Sequence, residues 1–182
     1  MYMAKEHGKT GVLLMTYGSA TTEDGVPAYL AHVYGKEPSE EVVTEFKRRF
    51  RVIGRSPLVD ITREQARLLE EELGDGYIVR SGMRHSAPFI EDGVEELRTH
   101  GCTKLIGVIL SPQYSAFIMD GYNKTLHAAA RVHGYDLENV SIAHPWPAER
   151  HFIQFLAQST SESLTALGDV PVVFTTHSLP ER

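Results

Sequence analysis

The chain has 182 residues, of which 42% are hydrophobic, and its 18 basic and 24 acidic residues give a net charge of −6. That is enough apolar chain for one packed domain and part of another, which excludes wholesale disorder, and the acidic balance excludes a global field drawing it to nucleic acid. The single cysteine, Cys102, allows no internal disulfide, no charged-then-apolar leader opens the sequence, and no apolar run approaches the ~20 residues of a membrane span. A cytoplasmic location without a transmembrane segment is expected.

Residues 11–17 form an unbroken apolar run ending at Gly18-Ser19, the pattern of a parallel strand buried on both faces. Helices are expected over roughly 23–34 and 39–53, then a third capped by Asp60 with Ile61, Leu68, Leu69 and Leu73 as its core stripe. A strand at 77–80 precedes a helix opened by Pro88, with Ile90, Val94 and Leu97 on one face and Gly101 as its stop. A strand at 104–110 leads to a helix marked by Tyr122, Leu126 and Ala130 and ended by Gly134. A strand at 140–143, a helix from Pro147 bearing Phe152, Phe155 and Leu156, and a fifth strand at 170–175 complete the series. Strands alternating with helices predict an α/β class with a mostly parallel sheet flanked by helices.

Ligands of such sheets bind beyond the carboxyl ends of the strands, which selects the segments 17–19, 81–85, 111–115, 144–146 and 177–181. The first and last strands, 12–19 and 172–179, share a pattern of apolar run, threonine, ring-bearing residue and small residue. An internal duplication would explain it, and the chain would then stop just after the first strand of a second copy.

Gly8-Lys9-Thr10 precedes its strand and lacks the earlier glycine of a phosphate loop, no Gly-x-Gly-x-x-Gly follows a strand, and no paired cysteines exist. His85 and His177 fall at strand ends, where a neutral imidazole can offer a lone pair to a divalent metal or, alternatively, bond into a loop. Lys47, Arg48, Arg49, Arg51 and Arg55 concentrate positive charge against the overall balance, either as a solvated helix end or as an anion site. Arg49 lies beside Val42, Phe46, Phe50 and Ile53, within reach of a ligand carboxylate past the edge of that apolar face. The carboxylates Glu91, Asp92, Glu95 and Glu96 read as a wet helix face. Tyr114, Phe117, Met119 and Tyr122 would either floor a flat aromatic ligand or form ordinary core.

The segments 14–18, 53–58, 83–92, 111–115, 121–124 and 176–181 together resemble ferrochelatase, in order from about residue 11 onward, with His177-Ser178-Leu179-Pro180 the most specific match. The resemblance implies Rossmann-like or flavodoxin-like architecture, with a first α/β domain over 1–145 and, over 146–182, a connecting helix and the first strand of a second similar domain. It implies insertion of Fe2+ into a porphyrin, coproporphyrin III or protoporphyrin IX, with iron as substrate metal and no cofactor. His177 would be the metal ligand and proton acceptor and Tyr17 would line the opposite side of the cleft. Arg49, Ser56 and Tyr122 would hold propionates, and Arg84 and His85 would form a cleft-edge pair. The segment 31–35 lacks the family's arginines, and the glutamate facing the metal-binding histidine belongs to a second half that this sequence does not contain. Little activity is therefore expected of the 182 residues alone, and an orphan strand would favour pairing with a second copy. A porphyrin or metal carrier without turnover, or a cobalt or nickel chelatase for a related tetrapyrrole, are the alternatives.

Overall fold

A computed structural model describes residues 8–175. Strand β1 (Thr10–Thr16) occupies the middle of a four-stranded sheet with the order β2-β1-β3-β4, completed by β2 (Tyr77–Met83), β3 (Lys104–Ile109) and β4 (Val140–Ile142), all parallel. From Gly11 onward every β1 residue is buried, as its uninterrupted apolar run requires of a strand covered on both sides. Side chains alternate across the pleat. Leu13 and Met15 enter one core with residues of α4 (Ile90–Thr99) and α5 (Ala116–Val132), whereas Val12 and Leu14 pack with Ala66 and Leu69 of α3 (Leu58–Leu73) on the other face.

The helices α1 (Val26–Tyr34) and α2 (Glu40–Ile53) form a separate antechamber to this sandwich. Their own small core joins Ala20, Val26 and Leu30 to Val42, Val43, Phe46 and Phe50. Ser39 caps α2, its hydroxyl accepting from the Val42 N–H at 3.4 Å.

Several expectations are corrected. The cap of α3 is Pro57, not Asp60, which lies in the first turn and pairs with Arg55. The inward stripe of α3 is Val59, Thr62, Ala66 and Leu69, while Ile61, Leu68 and Leu73 are exposed, because small side chains let the helix lie close to the sheet. Ile53 is likewise exposed, outside the face that α2 turns to α1. The second strand continues to Met83, because Gly82 and Gly93 let α4 press against it. A Cβ at Gly82 would stand 2.8 Å from Ile90 Cα, and one at Gly93 would stand 3.1 Å from the Ser81 carbonyl oxygen. Helix α6 (Arg150–Leu167) begins three residues after Pro147, capped by the Glu149 carboxylate, and buries none of its residues. Residues 170–175 pair with no strand among the described residues, and Val173 and Phe174 are exposed.

Candidate functional site

At the carboxyl edge of the sheet the β1–β2 ladder runs on past both strands. The Arg84 N–H donates to the Thr16 carbonyl at 2.9 Å and the His85 N–H to the Tyr17 carbonyl at 3.0 Å. This register sets the His85 ring beside the Tyr17 ring, with centroids 4.4 Å apart at 46°. Gly18 then turns the chain with φ +92°, a conformation that favours glycine, in a place where a Cβ would meet Ser86 Oγ at 2.6 Å. The freed space lets the Ser19 N–H donate to Ser86 Oγ at 3.1 Å, and the Tyr29 hydroxyl donates to the Gly18 carbonyl at 3.3 Å.

Helix α1 closes this edge with Ala28, Tyr29 and His32, joined by the cap residue Gly25 just before it, positions spaced as one helical face. His32 Nδ1 stands 3.0 Å from His85 Nδ1, and its ring stacks on Phe89 at 5.2 Å and 29°. A crevice of about 390 Å³ lies between α1 and the loop after β2, and a neighbouring one of about 510 Å³ lies over Arg84, Glu91 and Asp92. His32, His85 and Phe89 line both, as a ridge of rings between two hollows.

Burial, then the charge of Arg84, then His32 push the His85 imidazole down to about 4, so at neutral pH it is an uncharged ring. Burial, with Tyr17 and Tyr34 adding, pushes the Tyr29 hydroxyl up to about 12, which keeps it a donor. Arg84 carries the fixed positive charge of the site. Its guanidinium lies 5.7 Å from the centre of the Tyr122 ring, against Gly121, where any Cβ would displace it.

Of the residues singled out in the sequence, Tyr17, Arg84 and His85 are thus brought together. Tyr122 lies beneath Arg84 at 1% exposure, inside the core, and burial raises its hydroxyl well above the ordinary range. Arg49 sits apart from the crevice on α2, exposed, with Nε 2.8 Å from Glu45 Oε1 and its guanidinium over the Phe46 ring. Ser56 lies between α2 and α3, its Oγ 3.5 Å from the Leu58 N–H. His177 lies outside the described residues. Arg48, Arg51 and Arg55 also close on carboxylates, of Glu45, Glu23 and Asp60, as a solvated helix end would. Among the described residues no group of three or more His, Cys, Asp or Glu side chains is arranged to hold a metal ion. Tyr114 and Phe117 are exposed, whereas Met119 packs against the main core. Sequence reasoning gave no role to His32 or Tyr29. The spacing 25-28-29-32 was the available signal, a second face on a helix whose core face is Val26 and Leu30.

A family model described as Ferrochelatase matches residues 9–182. Coproporphyrin III ferrochelatase 2 of Bacillus cereus is 35% identical, over 96% of this chain and 57% of that protein. The coproporphyrin III ferrochelatases of Geobacillus kaustophilus and Oceanobacillus iheyensis are each 34% identical, over 94% and 97% of this chain and 58% and 60% of their own length. The chain therefore spans less than two thirds of these relatives. No helix among the described residues is long and apolar enough to cross a membrane.

Proposed function

Because the chain belongs to the ferrochelatase family, we propose that its sheet edge forms part of a site where Fe2+ is inserted into a porphyrin, and that the porphyrin is coproporphyrin III, for which the relatives are named. The observation that carries this reading is the set of Tyr17, Arg84 and His85 held together beyond the β1 and β2 ends, with His85 lining both crevices and Arg84 the second. Insertion breaks two pyrrole N–H bonds and forms bonds from nitrogen to iron, so two protons must leave. A flat, anionic-edged macrocycle needs aromatic surface, a cation and uncharged bases nearby. Tyr17 and Phe89 offer the first, Arg84 the second, and His85, kept neutral by its surroundings, one of the third. In this reading His177 is the ligand that presents the iron and takes a proton, Arg49 and Ser56 serve the propionates, and Tyr122, enclosed beneath Arg84, supports that guanidinium in place of the propionate contact expected of it. Since the relatives extend well beyond the matched span, the 182 residues alone are expected to bind porphyrin and turn it over poorly.

The test is an anaerobic absorbance titration of the chain with coproporphyrin III and protoporphyrin IX, then with ferrous iron. A shifted porphyrin band that saturates, favours coproporphyrin III and weakens roughly tenfold on Arg84→Gln, the loss of about one charged hydrogen bond, is the expected result. Unchanged spectra with both porphyrins overturn the reading. Where iron insertion is measurable, His177→Ala should abolish it with the fold retained.

A further inference from the structure

His32 and His85 stand 53 positions apart in the sequence, on α1 and on the loop after β2, yet their Nδ1 atoms meet at 3.0 Å. A neutral imidazole carries its proton on one ring nitrogen only, so this contact is a bond only when one Nδ1 donates and the other accepts. Two protonated nitrogens would repel, and two bare ones would oppose their lone pairs. The His32 ring is fixed by its stack on Phe89 and meets His85 edge-on at 78°, while His85 is held from its other side by Tyr17. Both rings line both crevices, His85 half-buried and His32 exposed.

We propose that His85 and His32 form a proton relay out of the crevice: His85 Nε2 takes a proton from a bound ligand while the His85 Nδ1–H passes to His32 Nδ1, and water takes the proton that His32 carries on Nε2. The ligand class, a tetrapyrrole with pyrrole N–H groups, rests on the function proposed above. In the resting pair both rings are neutral, His85 donates from Nδ1, and His32 carries its own proton on Nε2. One N–H bond of the ligand breaks and one forms at His85 Nε2. The His85 Nδ1–H bond then breaks as the His32 Nδ1–H bond forms, which leaves His32 an imidazolium and His85 neutral in its other tautomer. The facing groups favour this direction. Arg84 stands beside His85, and burial with that charge holds His85 down to about 4, so the inner ring passes a proton on and does not store it. Tyr17 faces the inner ring, and Glu91 and Asp92 line the second crevice with both histidines. The depression of His85 by burial and by Arg84 also makes its N–H more acidic, which makes His85 the resting donor.

Imidazole 15N NMR on the whole chain without ligand tests the resting state. A nitrogen–nitrogen coupling across the Nδ1···Nδ1 bond and an unprotonated His85 Nε2 are expected, whereas a protonated Nε2 or the absence of coupling overturns the relay. These readouts need no porphyrin, so they can fail while the proposed function stands, and the reverse. His32→Phe keeps a ring against Phe89 and removes the acceptor. It should mix the His85 tautomers and, with iron and porphyrin supplied, lower kcat roughly tenfold or more at unchanged KM, with a shifted acidic limb in the pH profile. His32→Gln, whose amide oxygen can still accept from Nδ1–H, should restore the single resting tautomer but not kcat. An unaltered kcat in His32→Phe, or an unaltered His85 tautomer in a folded variant, would overturn the assignment.

Discussion

Helices α4 and α6 are both amphipathic in sequence, and only one of them is packed. In α4 the residues Ile90, Val94 and Leu97 are each 0% exposed, whereas α6 leaves Phe155 at 63% and Ile153 at 48%. An apolar stripe states that a helix requires a partner surface; it does not say which part of the chain supplies one. For α4 the surface is β2 and β1, brought close by Gly82 and Gly93. For α6, which buries none of its residues, Trp146 meets Phe152 in a T-shaped contact and its Nε1–H donates to the Ile109 carbonyl at 3.0 Å. Helix α4 is thus integral to the sheet sandwich, whereas α6 buries none of its residues among the described ones.

The largest expected effect sets these two helices against each other. Leu97→Ala removes a fully enclosed side chain and should cost about 2–5 kcal/mol, while Phe155→Ala on α6 should stay within about 0.5 kcal/mol in this chain. Denaturant midpoints decide it, and hydrogen exchange should find β1 and α4 slow where α6 is fast. A large loss at Phe155 would mean that α6 is packed in solution and would break the contrast. Gly82→Ala comes next, at about 1–3 kcal/mol, because its methyl group meets the backbone of Ile90, which cannot swing aside as a side-chain tip would. If Gly82→Ala is neutral, the close approach of α4 to β2 is not what secures it.

The sheet and the packed helices were legible because their signals are local. The run from 11 to 17 suits a strand with both faces covered, and Ile90, Val94 and Leu97 point one way on any helix. What failed had non-local causes. Residues 170–175 have the composition of a buried strand, but a strand exists only beside another, and no described segment pairs with them. The stripe of α3 was misassigned because its buried residues are small or polar (Thr62 and Ala66) while larger leucines face outward. At the candidate site the placement of Tyr17, Arg84 and His85 followed from the rule that ligands gather at strand ends. His32 escaped it, since its partner is fixed by tertiary structure alone.

The pH response of the sheet edge sharpens the contrast at lower amplitude. Between about 4 and the ordinary value of 6.5 the unfolded chain binds a proton at His85 that the folded chain does not. Stability from this ring is therefore complete above 6.5 and is lost as pH falls toward 4. Partial exposure to solvent reduces the effect, so it should appear as a slope in the unfolding midpoint that His85→Phe flattens, while substitutions on α6 leave it in place. A slope identical in His85→Phe and the parent would assign it to other groups.

Arg49 gives the smallest expected change in stability and separates two meanings of an exposed cation. Its bond to Glu45 lies one helical turn back on the same exposed surface, beside the competing pair that Arg48 makes with the same carboxylate. Such a pair contributes little, and Arg48 remains to hold Glu45 when Arg49 is replaced. Arg49→Gln should therefore leave the unfolding midpoint where surface substitutions usually leave it. If Arg49 turns to a propionate when porphyrin binds, the same variant weakens coproporphyrin III affinity and the loss shrinks at high salt, as expected of an exposed charge. Lower stability with unchanged affinity would instead make Arg49 a packing residue over Phe46, part of the α1–α2 core and not of the site.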